Sequence, residues 1–255
     1  MVRPPLHSPE TVLSRRHMPS WFMLCAAAGL VNAGAFLAVE RYVSHVTGTV
    51  TQAGIGFNHE HWTLMAEYLL VLLCFVLGAF GAALLVGKPG IIRSENVVHA
   101  LPLVATAAFV AAVAGLGHSG LFGPFGGSVE QPADFAFLCL LSIAMGAQNA
   151  AVATNTGLLV RTTHLTGPAT DLGLSLAATV LSRGEARTRA FQGSVLRAGK
   201  ILAFGAGSAL MVPLVAKLGY LAFLVPSVLT LAATALSFVP PWAGLHAASS
   251  RAVDA

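Results

Sequence analysis

Apolar residues in this chain come in long uninterrupted blocks, not with the period of an amphipathic helix or a half-buried strand. Six such blocks, 21–39, 64–87, 97–117, 135–153, 201–216 and 220–240, hold between 16 and 24 residues each. A helix needs about 20 apolar residues to cross a bilayer. In hydrocarbon only a helix or a closed barrel satisfies its own backbone groups, and blocks of this length are helical. The pattern therefore predicts an all-α integral membrane protein with six transmembrane helices, its fifth block short and interrupted by Pro213.

Composition supports that reading. Of 255 residues 56% are hydrophobic and only 9% charged, with a mean hydropathy of +0.77. A water-facing surface needs roughly a quarter of its residues charged, so a soluble fold is excluded. The net charge of +4 does not mark a nucleic-acid partner, because the basic residues sit between apolar blocks and not on one face. Arg3, Arg15, Arg16, Lys88, Arg93, Arg161, Arg183, Arg187, Arg189, Arg197, Lys200 and Arg251 fall on one side of the predicted membrane, leaving Arg41 and Lys217 opposite. By the positive-inside rule both termini are cytoplasmic. Ser14-Arg15-Arg16 before an apolar block also resembles a twin-arginine signal, but the block is long for one. Cys25, Cys74 and Cys139 lie inside apolar blocks without metal or redox spacing, and read as core or lipid-facing residues.

The two halves resemble each other. Gly29 to Ala33 aligns with Gly146 to Ala150 at an offset of 117, and His45-Val46-Thr47-Gly48 with His164-Leu165-Thr166-Gly167 at 119. Thr51 and Gly54 keep the second register with Thr170 and Gly173. Phe80-Gly81-Ala82 aligns with Phe204-Gly205-Ala206, Pro102 with Pro226, and Thr106 with Thr230, all at 124. With three helices per unit the second copy enters from the opposite side, which makes the halves inverted repeats with a site expected at their interface. The organisation is a cytoplasmic tail over 1–20, a first three-helix unit over 21–117, an extracytoplasmic loop over 118–134, a second unit over 135–240 and a cytoplasmic tail over 241–255. The first dozen residues and those beyond His246 read as disordered ends.

Two segments are too polar or too short to span yet recur at matching places: 42–57, rich in Thr and Gly, and 162–182, which opens Thr-His-Leu-Thr-Gly-Pro. Each His-x-Thr-Gly marks a break where a re-entrant half-helix starts, with Pro168 in a first turn. If both starts are buried, their free N–H groups and positive dipole ends face a common cavity suited to an anion. The candidate solute-binding residues are therefore His45, Thr47, Gly48, His164, Thr166 and Gly167. The other reading keeps Thr-Gly for close helix contact and gives each His to a loop carbonyl. Asn32, Gln148 and Asn149 lie inside spans, where they line a pathway or bond across helices. Asp171, in the first turn of the second half-helix, either suits the dipole or holds a cation or proton, which conflicts with an anion site. The basic stretch 184–200 predicts an amphipathic cytoplasmic helix.

No phosphate loop, nucleophile elbow, metal cluster or catalytic carboxylate pair is present in the sequence, so an enzyme and a bound cofactor are not expected. His59-Glu60-His61 reads as an exposed outer loop, not a metal site.

On the two His-x-Thr-Gly segments and Gly146-Ala147-Gln148-Asn149-Ala150, the chain resembles the YoaK-like family of bacterial inner-membrane proteins, from the first span to the sixth. Relatives typically carry Asn after each Thr-Gly; here Thr49 and Pro168 replace it. The resemblance implies a six-helix fold in the inner membrane and no particular activity, since the family is of unknown function. The expectation is a secondary transporter for a small solute, anionic or proton-linked, in contact with the lipid bilayer. A passive channel with two half-helices and a non-transporting scaffold or stress protein are the alternatives, and a homo-oligomer is compatible with each.

Overall fold

In the computed structural model of the protein, residues 4–58, 62–87, 94–126 and 132–238 are described, and every regular element among them is helical. They form α1 (Pro9–Val12), α2 (Met18–Val39), α3 (Val46–Asn58), α4 (Trp62–Gly87), α5 (Glu95–His118), α6 (Pro132–Asn155), α7 (Thr166–Leu181), α8 (Gly184–Leu218), a 3-10 turn (Gly219–Phe223) and α9 (Leu224–Phe238). Five stretches are long and apolar enough to cross a membrane. They are α2, most of α4, α5, α6, and a continuous stretch over Gly184–Ser237 that takes in α8, the 3-10 turn and most of α9.

The amphipathic helix expected over 184–200 is not separate from the fifth span. α8 runs unbroken through both and through Pro213, then stops at Gly219, whose φ of 53° ends the helix. Among tightly packed membrane helices a proline is tolerated in mid-helix, as Pro102 is in α5. The amino-terminal residues also depart from expectation. Residues 4–17 are packed against the bundle: Val12 is fully buried, Trp21 Nε1 donates to its carbonyl at 3.2 Å, and the His7 N–H donates to the Asn155 carbonyl at 2.9 Å. The His59-Glu60-His61 stretch and the tail beyond His246 lie outside the described residues.

Polar and apolar groups are distributed as a lipid solvent demands. Leu73, Leu77 and Phe80 of α4, Leu202 and Leu210 of α8, and Val228 of α9 are each at least half exposed, while Asn32, His99, Thr106, Gln148 and Asn155 are buried. Exposed leucines on this scale would aggregate in water, and buried amides and hydroxyls need the partners they find here. The class is set by this arrangement: a helical, multi-pass membrane-type protein.

Packing follows a matched scheme. α2 lies on α8 and α6 on α4; α3 lies on α4 and α7 on α8; α9 lies on α2 and α5 on α6; and α5 and α9 meet each other. The two main crossings share their closest points. Gly29 of α2 abuts the backbone of Phe204, and Gly207 of α8 abuts that of Ala26; Gly146 of α6 abuts the backbone of Phe75, and Gly78 of α4 that of Ile143. No side chain could fit between these backbones, which explains glycine at all four places. The crossings pair Phe75 and Gly78 with Phe204 and Gly207, 129 residues apart, whereas the sequence aligns Phe80-Gly81-Ala82 at 124. Gly81 and Gly205, matched by the 124 register, face open space.

Candidate functional site

The two breaks after α2 and α6 are built alike. Asn32 donates from Nδ2 to the Ala28 carbonyl at 3.0 Å and to Ser44 Oγ at 2.6 Å, and its Oδ1 accepts the Ser44 N–H at 3.2 Å. Asn149 Oδ1 accepts the N–H groups of Thr162 and Thr163 at 3.0 and 3.4 Å. Each in-span amide thus ties down the linker that follows its own helix, and the two do not bond to each other. Buried N–H groups in such a linker would otherwise lack acceptors, at about 1–3 kcal/mol each.

Beyond each linker, the histidine folds onto the first turn of the helix that follows, α3 or α7. His164 Nε2 accepts the Gly167 N–H at 3.1 Å, which puts the imidazole proton on Nδ1. The ring of His45 lies over Gly48 so closely that any Cβ there would overlap it, and a Cβ on Gly167 would come within 2.6 Å of His164 Nε2. Histidine and glycine therefore pack as one unit in both segments. The expectation of free N–H groups at the helix starts is corrected for α7, where the Gly167 donor is already capped by His164.

These segments enclose a cavity of about 740 Å³. Of the predicted residues, Asn32, His45, Thr47, Asn149, His164 and Thr166 line it. Gly48 and Gly167 stand behind the imidazoles as spacers. Gln148 is fully buried away from the cavity, donating from Nε2 to the Leu24 carbonyl at 3.0 Å and to Thr162 Oγ1 at 3.1 Å. Asp171 is also outside it: its carboxylate pairs with Arg197 Nε at 3.8 Å beside a smaller cavity of about 250 Å³ near Lys200.

Several lining residues escaped the sequence reading. Phe75 and Phe204 reach the cavity from the two glycine crossings, and Phe36 stacks on Tyr42 with ring centres 4.8 Å apart. Arg161 also lines it; a signal was available, because Arg161 stands 119 residues after Tyr42, the offset that relates His164 to His45. No Asp or Glu is found in the lining among the described residues, and no three His, Cys, Asp or Glu side chains there converge to hold a metal.

A second polar cluster lies under the amino-terminal segment. Buried His99 bonds through Nδ1 to Asn155 Oδ1, and the Asn155 amide donates to the His99 carbonyl at 3.3 Å. His7 and His17 lie nearby, their rings tilted at 53° with centres 4.7 Å apart. Burial, then the neighbouring His17 and His99, lowers the His7 pKa to about 4, and burial followed by Arg16 lowers that of His17.

A fold of apolar, membrane-length helices around a polar cavity describes a class. Residues 20–236 match the family described as "Protein of unknown function (DUF1275)", and the chain belongs to that family. This accords with the YoaK-like resemblance. No curated protein and no solved structure is significantly similar to the chain.

Proposed function

We propose that this protein is a secondary permease for a small anionic solute, bound between two inverted three-helix units. One observation carries the reading: the cavity is lined from both halves by residues at matching positions, Asn32 with Asn149, His45 with His164, Thr47 with Thr166, and Ser44 with Thr163. The matched packing scheme and the paired glycine crossings support the inverted repeat, with α2, α4 and α5 as the spans of one unit and α6, α8 and the 3-10 turn plus α9 as those of the other. Interrupted segments at equivalent places around a midplane site are the plan of many carriers. Arg161 is the single formal charge in the lining among the described residues, which favours an anion over a cation. The basic residues on one side favour an inner-membrane topology with both termini cytoplasmic.

A channel reading draws on α3 and α7, whose 13 and 16 residues are too few to span. Counterflow in proteoliposomes separates the two. A carrier accelerates uptake of labelled solute when unlabelled solute is trapped inside; equal rates with and without internal solute would leave the carrier reading without support.

A further inference from the structure

The two halves of the cavity are alike in backbone plan and in most of their lining, and the one matched position at which they diverge points to the kind of anion that fits. Each linker puts one large side chain into the cavity three residues before its histidine: Tyr42 in the first unit and Arg161 in the second. Around Tyr42 the wall is aromatic, with Phe36 stacked on it and the edge of the Tyr42–His45 pair 5.8 Å away between ring centres. Around Arg161, Thr163, His164 and Thr166 repeat the polar groups that Ser44, His45 and Thr47 supply beside Tyr42, so the halves differ by a guanidinium in place of the Tyr42–Phe36 stack. Arg161 makes no ion pair or hydrogen bond among the described residues, so its five donors are uncommitted. A guanidinium takes a carboxylate through two parallel bonds, and does so more strongly where water is partly excluded.

Size discriminates further. A cavity of about 740 Å³ lies in the range that holds drug-sized ligands, so an inorganic anion would leave most of it filled with water. An aromatic wall gains little from a fully hydrophilic solute, but buries an apolar body at roughly 25 cal/mol per Å².

We infer that the solute is a monocarboxylate with an aromatic or branched apolar body, its carboxylate on Arg161 and its body against Phe36 and Tyr42. This inference rests on the permease reading, since it assigns the ligand of the same cavity. It also gives the inverted repeat a use: duplication supplies the symmetric frame, and divergence at one matched position makes the site bipolar.

The experiment uses the full chain in detergent and in proteoliposomes, with phenylacetate as the probe. Phenylacetamide serves as its neutral isostere, acetate lacks the apolar body, and phosphate is the inorganic anion. Phenylacetate should raise the melting temperature saturably and exchange in counterflow, with at least tenfold weaker binding of phenylacetamide, acetate and phosphate. Arg161→Gln should cost at least tenfold in phenylacetate affinity, with Arg161→Lys intermediate. Tyr42→Ala should weaken phenylacetate while leaving the weak acetate binding unchanged. Arg161 and Tyr42 are exposed side chains, so both variants should remain folded and monodisperse. Binding of phenylacetamide as tight as that of phenylacetate, or a preference for phosphate, would overturn the inference while leaving a permease in place. Failure of a broad panel of anionic, cationic and neutral solutes to bind or exchange would remove the permease reading and the inference together.

Discussion

Gly146 of α6 and Phe75 of α4 touch backbone to backbone, and the contact is repeated in the other helix pair by Gly29 of α2 and Phe204 of α8. The relation decides how closely each helix pair approaches, and so how far apart the two pairs stand around the cavity that Phe75 and Phe204 help to line.

The glycines at these crossings should be intolerant of any side chain. Gly29→Ala and Gly146→Ala each force backbone apart, because the obstructing atoms are main-chain atoms that cannot rotate away. Overpacking of this kind costs about 1–3 kcal/mol. Gly81→Ala and Gly205→Ala face open space and should be neutral or stabilising by up to about 1 kcal/mol. Thermal unfolding in detergent of the four variants checks this; an equal loss at Gly205 would contradict it.

Loss of the imidazole cap should loosen the start of α7. His164→Ala leaves the Gly167 N–H without its acceptor and should cost about 0.5–2 kcal/mol, the usual range for a lost helix cap. Hydrogen exchange at residues 166–170 should quicken while exchange in α2 stays unchanged. Uniform quickening would mean that the imidazole supports the whole bundle and not one helix start.

The two in-span asparagines should respond differently to the same replacement. Asn149 holds its linker through Oδ1 alone, so Asn149→Asp keeps the acceptor and should be milder than Asn149→Ala. Asn32 also donates to the Ala28 carbonyl, which a carboxylate cannot do, so Asn32→Asp sets two acceptors against each other in a buried place and should be about as damaging as Asn32→Ala, even though the Ser44 hydroxyl can turn to donate. Each alanine should cost about 1–3 kcal/mol by stranding buried N–H groups. The four melting temperatures form the test, and matching losses for the two aspartates would refute the distinction.

Acid should release the amino-terminal segment. The folded-state pKa of His7 lies near 4, below the unfolded value of 6.5, because burial and the nearby His17 and His99 oppose its charge. The folded segment then binds fewer protons than the released one, so its docking is complete above pH 6.5 and weakens as pH falls from 6.5 towards 4. Proteolysis at residues 4–17 should become faster over that window, and His7→Phe should flatten the response. A profile with no change between pH 7.5 and 4.5 would show that His7 is not buried as described.

The legibility of the site was uneven for reasons visible in single residues. His45, His164, Asn32 and Asn149 are legible because the same residues recur in the two halves at nearly constant spacing. Gln148 and Asp171 were included on residue type and in-span position, but the direction of a side chain from a helix depends on what packs beside it. Gln148 turns toward Leu24 and Thr162, and Asp171 toward Arg197. Arg161 reads as a topology charge because local sequence does not say that it borders a cavity. His7 and Val12 read as part of a disordered end because nothing beside them in sequence reveals the partners that Trp21 and Asn155 provide.

The sequence by itself determined the solvent, the helical class, the family and the recurrence of His-x-Thr-Gly, since each is carried by local composition or by repetition along one dimension. Tertiary structure alone decided the 129-residue register of the glycine crossings, the continuity of α8, the docking of residues 4–17 and the bipolar cavity between Tyr42 and Arg161. The physical reason is that these depend on which surfaces of distant helices meet, and side-chain shape settles that only when the whole bundle closes.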